Sequence, residues 1–287
     1  MTRNGCPSRL AIVAAPLIAL LAAPTGCDTI SGDVGDFMDG LRPPTPIEAA
    51  VWAADFNNPG KQRRGVVLLV DAPFGGEESY LELYRALAQE SRDPLVRAAA
   101  IRGLGRWGTP ADTKVIAEGL LNQSEQVRIE SAISLQRIHA PAVEDVIWKR
   151  LADQTEIESV RVELAIALGQ YQSDASLQAL CLALDDRSLT LNLAAADSLR
   201  IMTGRDFGID ARAWLSWYEA TVRSQEDPFA LGETFLYPTF RREVGFFESL
   251  AFWDPVTFED PAAPRGLLKT GRRTYDDDAK DGKPERP

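Results

Sequence analysis

Two short motifs in this chain match sites that bind nucleotides. A G-x-G-x-x-G pattern at 103–108 is typical of loops that hold dinucleotide phosphates, and Asp-Phe-Gly at 206–208 is typical of the magnesium site of protein kinases. The first motif must follow a strand and open a helix, but here it closes a helical stretch, where glycine serves as a C-terminal cap. The second has no glycine-rich loop, catalytic-loop triplet or strand lysine upstream. We therefore predict a helix end and a turn at these positions, and no bound cofactor.

The remaining reactive side chains form no recognisable catalytic set. His139 is the one histidine among 287 residues, and it lies in a turn with no hydroxyl–carboxylate pair around it, so we expect it to be solvated. The acidic run at 276–278 lies in a polar tail and is predicted to be solvated as well. Cys181 stands between two leucines and is expected to be a small buried side chain. The sequence thus predicts no catalytic residue and no metal site.

The net charge disfavours one class of partner. The chain carries 42 acidic and 31 basic residues, which gives a formal charge of −11. Because so acidic a chain repels phosphate, we expect no binding to nucleic acid.

The N-terminus has the pattern of an export signal. Two arginines and no acidic residue precede the apolar stretch 10–23, whose length suits a signal-peptide core better than a membrane-spanning helix. Gly26-Cys27 then resembles the cleavage site of bacterial lipoproteins, although Pro24 stands where that pattern usually has an aliphatic residue. The resemblance implies that Cys27 becomes the lipidated first residue and anchors the protein to a membrane. A plain secreted protein and an uncleaved anchor are the alternatives.

A recurring sequence motif, called the repeat phrase below, predicts the fold. Arg97, Arg128, Arg161 and Asn192 occupy equivalent positions at steps of 31, 33 and 31 residues, and each is followed seven residues later by leucine. A period in the low thirties that is filled by helix-forming residues is the signature of an α-solenoid.

We predict about five helical hairpins over roughly 46–202. Their first helices are expected near 46–56, 77–91, 110–122, 141–153 and 174–185. A closing helix follows, in which Trp214, Trp217 and Tyr218 are expected to cover the apolar end of the last hairpin.

The repeat phrase resembles HEAT repeats. The Asp-Pro-x-Val-Arg opening at 93–97 and the Leu-Gly at 104–105 are similar to the short bacterial variety, and the ending at 203–217 resembles the closing helix of HEAT proteins frequent in planctomycete-type bacteria. The resemblance implies an all-α, right-handed α-solenoid in which the repeated arginines join one repeat to the next. Some HEAT-like proteins are di-iron hydroxylases built on repeated His-Glu pairs, and because this chain has no such pair, that chemistry is excluded.

The middle repeats depart from the usual pattern on the surface of their second helices. Ile129, Ile133, Val162 and Ile166 are aliphatic where HEAT repeats commonly carry polar residues. We name these four residues the aliphatic stripe and take it as the candidate interaction surface, because an apolar stripe on the inner face of a solenoid needs a cover.

An aromatic-rich segment at 226–261 is a candidate cover. Phe240, Val244, Phe247 and Ala251 would share one face of a helix there. Our hypothesis is that the segment folds back onto the aliphatic stripe. The alternatives are that it docks a partner protein or lies on a membrane.

The chain thus divides into a signal peptide (1–26), a lipid-anchored tether (27–45), a solenoid (46–225), the aromatic-rich segment (226–261) and a disordered tail (262–287). The C-terminal part after the solenoid is therefore expected to be partly ordered. The predicted function is a non-enzymatic scaffold, tethered to a membrane of the bacterial cell envelope and facing the periplasm or exterior, that binds an unidentified protein. The alternative is an enzyme or accessory subunit related to bilin-lyase-type HEAT-like repeat proteins, which rests on fold analogy.

Overall fold

The computed structural model describes residues 44–238, 240–241 and 258–267. This part of the chain contains eleven α-helices: α1 (Pro46–Ala53), α2 (Pro59–Asp71), α3 (Glu78–Glu90), α4 (Pro94–Trp107), α5 (Thr113–Glu118), α6 (Glu125–Gln136), α7 (Glu144–Ala152), α8 (Glu158–Leu168), α9 (Asp174–Ala183), α10 (Leu189–Thr203) and α11 (Ala211–Arg223). A short antiparallel ladder pairs β1 (Phe240–Arg241) with β2 (Phe258–Glu259). No helix within the described ranges is long and apolar enough to span a membrane. The predicted signal peptide, Cys27 and nearly all of the tether lie outside these ranges.

The first ten helices form five hairpins, each with an odd-numbered first helix and an even-numbered second helix. The second helices of neighbouring hairpins pack against one another in succession from α2 to α10. Short 3-10 turns at Pro110–Asp112 and Pro141–Val143 lead into α5 and α7. The predicted all-α fold and the predicted positions of the five first helices are confirmed.

Polar side chains cap the N-termini of several second helices. Asp93 accepts hydrogen bonds from two backbone N–H groups in the first turn of α4, at 2.9 and 3.1 Å, and Pro94 takes the first helical position. Ser188 accepts one from the first turn of α10 at 3.2 Å. Helix α8 differs, because it begins at Glu158 after Ile157, which offers no side-chain cap.

The repeat phrase forms the buried seam between second helices. Its aliphatic residues are all fully buried: Val96 and Leu104, Val127 and Leu135, Val160 and Leu168, Leu191 and Leu199. Since they recur every 31 to 33 residues, each second helix presents the same apolar edge to its neighbour. Gly105 permits the close approach of α4 to α6: a Cβ there would lie 2.4 Å from the Oγ of Ser134.

The two motifs that match nucleotide-binding sites form a helix end and a turn. Residues 103–108 form the last turn of α4 and its C-cap, Gly108. Residues 206–208 form a turn before α11, in which Gly208 adopts a φ of +55° and donates its N–H to the carboxylate of Asp206 at 2.9 Å. The predicted helix end and turn are confirmed.

Helix α11 closes the C-terminal end of the solenoid by packing on α9. Trp214 is fully buried, its indole N–H donates to the carbonyl oxygen of Gly208 at 2.8 Å, and its ring meets Phe207 edge-on at a centroid distance of 4.9 Å. Trp217 and Tyr218 are partly buried against the core. The predicted role of these aromatic residues as an end cover is confirmed.

Candidate interaction surface

The aliphatic stripe lies on two adjacent second helices. Ile129 and Ile133 belong to α6, and Val162 and Ile166 occupy the equivalent positions on α8, which packs against α6. All four side chains are half-buried. On α10 the next equivalent position holds Leu193, which is 52% exposed and extends the apolar surface. The structure therefore brings together the residues that the sequence singled out and leaves part of each accessible.

Carboxylates lie beside the stripe. Glu130 is buried and accepts two hydrogen bonds from the guanidinium of Arg102, at 2.5 and 3.2 Å. Glu163 stands at the equivalent position one repeat later and accepts a hydrogen bond from the side chain of Gln136 at 2.7 Å. Burial raises the pKa of Glu163, the hydrogen bond from Gln136 opposes the rise, and the charge of Glu130 adds to it. These pairs join α4 to α6 and α6 to α8.

Two of the repeated arginines, Arg128 and Arg161, connect hairpins. Arg128 donates to two carbonyl oxygens in the loop of its own hairpin, both at 2.9 Å, and to the carboxylate of Glu156 in the next hairpin at 3.0 and 3.1 Å. The side chain of Glu156 is fully buried and is also paired with Arg150. Although burial alone would raise the pKa of Glu156, the hydrogen bonds and the two guanidinium charges hold it below its usual value.

The same arrangement recurs one repeat later and then weakens. Arg161 donates to a carbonyl oxygen at the end of α7, at 3.0 Å, and to the carboxylate of Asp186 in the fifth hairpin at 2.6 Å. Asn192, which replaces arginine in the last repeat, keeps the contact within its hairpin by donating to the carbonyl oxygen of Asp186 at 3.1 Å. Arg97 donates to carbonyl oxygens of its own hairpin at 2.8 and 3.0 Å. The contacts of these arginines are structural.

The aromatic-rich segment begins by crossing the C-terminal ends of second helices. Phe235 is buried and lies close to Gly169, the C-cap of α8. A Cβ added to Gly169 would lie 3.1 Å from the ring of Phe235. The N–H of Glu233 donates to the carbonyl oxygen of Ile201, near the end of α10, at 2.7 Å. The guanidinium of Arg137, just after α6, lies 5.7 Å from the ring centre of Tyr237. The segment therefore runs back from the fifth hairpin towards the third.

The stretch 258–267 contacts two helix ends. The N–H of Arg265 donates to the carbonyl oxygen of Arg137 at 2.9 Å, and its carbonyl oxygen accepts from the N–H of His139 at 2.7 Å. Its guanidinium donates to the carbonyl oxygens of Gly105 and Arg106 at the end of α4. A cation at these carbonyl groups is favourable, because a helix carries partial negative charge at its C-terminus.

We name residues 229–238 and 258–267 together the strap. The predicted disordered tail began at 262, so its first residues belong instead to the contact that Arg265 makes, and the rest of that tail lies outside the described residues. The strap was missed in the sequence, where Arg265 stands in a Pro-, Arg- and Asp-rich stretch without periodicity.

One part of the cover hypothesis needs correction. Phe240 lies in β1, opposite Glu259 of β2, and not on a helix. The other residues of the predicted helical face, Val244, Phe247 and Ala251, lie outside the described residues. Because the strap packs on helix ends, a cover over the aliphatic stripe stays a prediction.

His139 is not solvated as the sequence suggested. Its half-buried ring stacks on Tyr171 at a centroid distance of 4.8 Å, and Nδ1 lies 3.2 Å from the side-chain oxygen of Gln170. Burial lowers the pKa of His139, while the hydrogen bond to Gln170 and the charge of Glu144 oppose that shift. The ring is therefore a packing element between the third and fourth hairpins.

The side chains present do not fit a di-iron site built on His-Glu pairs. The chain has one histidine, His139, and alanine follows it. Within the described ranges, no group of three or more His, Cys, Asp or Glu side chains is placed to hold a metal ion. Cys181 is buried as predicted, and burial raises its pKa to about 12, which keeps the thiol protonated and unreactive.

Part of the chain matches a known family of repeats. The family model of HEAT repeats matches residues 63–136 and 81–157. Deoxyhypusine hydroxylase of Drosophila pseudoobscura pseudoobscura is 33% identical over 115 residues, which cover 40% of this chain and 38% of that protein. The chain therefore spans about two fifths of that relative, and the activity in its name is said of that protein.

Two solved structures are distantly similar. Human deoxyhypusine hydroxylase matches with 16% identity and a TM-score of 0.29, over 62% of this chain and 91% of that one. Escherichia coli YibA matches with 15% identity and a TM-score of 0.32, over 61% of this chain and 81% of that one. Scores this low support no argument about function. The matched residues, 63–157, lie within the stacked helical hairpins, so this chain contains HEAT repeats.

Proposed function

We propose that this chain is a non-enzymatic scaffold, tethered to a membrane of the bacterial cell envelope by lipid on Cys27, that binds another protein through the aliphatic stripe. The observation that carries the proposal is the stripe itself: four half-buried aliphatic side chains stand side by side on α6 and α8. Apolar side chains in such a row favour contact with another protein surface.

The charged groups around the stripe support binding rather than catalysis. Arg128 and Arg161 are engaged in contacts between hairpins, and the carboxylates of Glu130 and Glu156 accept hydrogen bonds from arginine. Groups held in this way stiffen the surface that carries the stripe, and a rigid surface loses less conformational entropy when a partner binds.

The stripe can be tested with a matched pair of variants. Tagged protein is captured from detergent-solubilised envelope, with Ile133→Asp/Ile166→Asp compared with Leu182→Asp, whose side chain is 68% exposed on α9. We expect a partner protein to be lost from the stripe variant and retained by the control. Milder Ile133→Thr/Ile166→Thr substitutions, with matching circular dichroism melts, separate loss of binding from loss of folding.

Two results would contradict the stripe proposal. One is a partner retained equally by both variants, and the other is co-purification of a pigment or small molecule in place of a protein. The anchor is tested separately by mass spectrometry of the mature N-terminus, where an unmodified Cys27 would exclude lipidation.

A further inference from the structure

The first hairpin exposes apolar side chains on its outer side. Helix α1 packs on α2 through Ala49 and Ala53, which are buried. The opposite face carries Ile47 and Val51, which are 77% and 63% exposed, and the turn after α1 carries Phe56, which is 73% exposed. Exposing three large apolar side chains to water raises the free energy of the folded protein unless another surface covers them.

Basic side chains lie near the turn that connects α1 to α2. Lys61, Arg63 and Arg64 are exposed in the first turns of α2. The ammonium of Lys61 lies 5.7 Å and the guanidinium of Arg64 lies 5.3 Å from the ring centre of Trp52, at the end of α1. Asp55 is the acidic residue in the connecting turn, and its carboxylate accepts the N–H of Asn57 at 3.1 Å.

The corresponding ends of the other hairpins lack this excess of positive charge. Residues 54–64 carry three basic residues and one acidic residue, a net charge of +2. The windows matched to it by the repeat spacing carry net charges of 0, 0, −2 and −1, at 88–98, 119–129, 152–162 and 183–193. Among those windows, 88–98 and 119–129 each expose one leucine, Leu95 and Leu121, and 183–193 exposes two, Leu189 and Leu193. The first hairpin therefore combines exposed apolar side chains with positive charge, in a chain that is acidic overall.

We propose that this end of the first hairpin binds an anionic phospholipid surface. The side chains involved form a basic–apolar patch of Ile47, Val51, Trp52, Phe56, Lys61 and Arg64. Aliphatic and aromatic side chains insert at the boundary between headgroups and acyl chains, tryptophan favours that boundary, and lysine and arginine pair with lipid phosphates.

Position along the chain favours this occupant. Cys27 precedes Pro44, the first described residue, by 17 residues, which can span at most about 60 Å. If lipid holds Cys27, the first hairpin is the described element nearest to the membrane along the chain. The inference rests on the proposed function in this respect, since an anchor raises the local concentration of lipid. A second copy of the chain fits the patch less well, because a symmetric contact would bring like charges together.

The test uses unlipidated protein, residues 27–287 with Cys27→Ser, and co-sedimentation with vesicles. We expect binding to vesicles that contain phosphatidylglycerol, weakening with added salt, and at least tenfold weaker binding to pure phosphatidylcholine. Lys61→Glu/Arg64→Glu and Ile47→Ser/Val51→Ser should each weaken binding at least tenfold, with unchanged circular dichroism melts because these side chains are exposed. Arg92→Glu/Arg187→Glu and Leu121→Ser/Leu189→Ser, at exposed sites of other hairpins, are the matched controls and should bind within about twofold of the parent.

Equal binding by the patch variants and the parent would overturn the proposal, and so would no binding to anionic vesicles. A dimer in sedimentation velocity that Val51→Ser abolishes would assign the patch to self-association and overturn it as well. Because this protein carries no lipid, these results are independent of whether Cys27 is lipidated in the cell. Loss of the anchor proposal and loss of the patch proposal are therefore distinguishable.

Discussion

The two ends of the solenoid are built in opposite ways. At the C-terminal end, α11 lays Trp214 and its aromatic neighbours over the last hairpin, and the tryptophan is fully buried. At the N-terminal end, α1 turns Ile47 and Val51 outwards, and Phe56 stands free in the turn that follows. A stacked array needs terminal elements whose outer face suits their surroundings. One end is thus closed by the chain itself, and the other presents a surface suited to a lipid headgroup layer.

The strap strengthens this asymmetry. It leaves α11, crosses the ends of α10 and α8, and reaches α4 through Arg265, so that its described contacts link the second to the fifth hairpins. The first hairpin is joined to the array mainly by the packing of α2 on α4. We therefore expect stability to decrease from the C-terminal end towards the N-terminal end.

The largest difference in stability between the two ends should come from substitution of their aromatic residues. Trp214→Ala removes a fully buried side chain and should lower the free energy of unfolding by about 3–5 kcal/mol. Phe56→Ala, at the open end, should change it by less than about 0.5 kcal/mol, because that ring is exposed. Urea denaturation measures both variants, and equal effects would refute the contrast between the two ends.

The arginine positions should show a smaller contrast. Arg128→Ala leaves the buried carboxylate of Glu156 with one guanidinium partner in place of two, which should cost about 2 kcal/mol at pH 7. Asn192→Ala, in the terminal repeat, removes one hydrogen bond to a carbonyl oxygen and should cost about 1 kcal/mol or less. An Asn192 variant as damaging as the Arg128 variant would show that the last repeat is held as tightly as the middle ones.

The strap should contribute less again at any single residue. Arg265→Ala removes donors from two carbonyl oxygens at the end of α4 and should destabilise the protein by about 1 kcal/mol. Arg92→Ala, at an exposed loop position, is the control and should not measurably change the free energy of unfolding in urea denaturation. Faster protease cleavage after the strap in the Arg265 variant alone would support its role as a clasp, and identical cleavage in both would oppose it.

The smallest expected effect concerns pH. Since burial raises the pKa of Glu163 in the folded state, the folded protein binds a proton more tightly than the unfolded chain, and this group makes stability fall as pH rises above about 4.3. Glu163→Gln should therefore raise the melting temperature at pH 7, by about 2 °C, while keeping an oxygen that accepts from Gln136. The gain should vanish below about pH 4, and a gain that is constant with pH would contradict this assignment.

The hairpins were predictable because their signal is local and repeated. Asp93 with Pro94 begins α4, and leucine recurs seven residues after each arginine position, so caps and periodicity agree. The strap was not predictable, because Arg265 reaches carbonyl groups about 160 residues away and no local pattern marks that contact. The burial of His139 was missed for a similar reason, since it depends on Tyr171 from the following hairpin.

Of the two candidate surfaces, one was predictable from the sequence and the other was not. The sequence identified the four residues of the aliphatic stripe, since their departure from the repeat pattern is visible in the letters alone. The basic–apolar patch required the structure, because nothing in the sequence shows that Ile47 and Val51 point away from α2 while Ala49 and Ala53 point towards it.

Hydrogen exchange, read by mass spectrometry with and without phosphatidylglycerol vesicles, tests the difference between the two ends most directly. In free protein, we expect amides of residues 46–64 to exchange at least tenfold faster than those of 211–223. Anionic vesicles should slow exchange in 46–64 and leave 211–223 unchanged. Equal protection of the two ends in free protein, or protection gained at α11 in place of α1, would contradict the account.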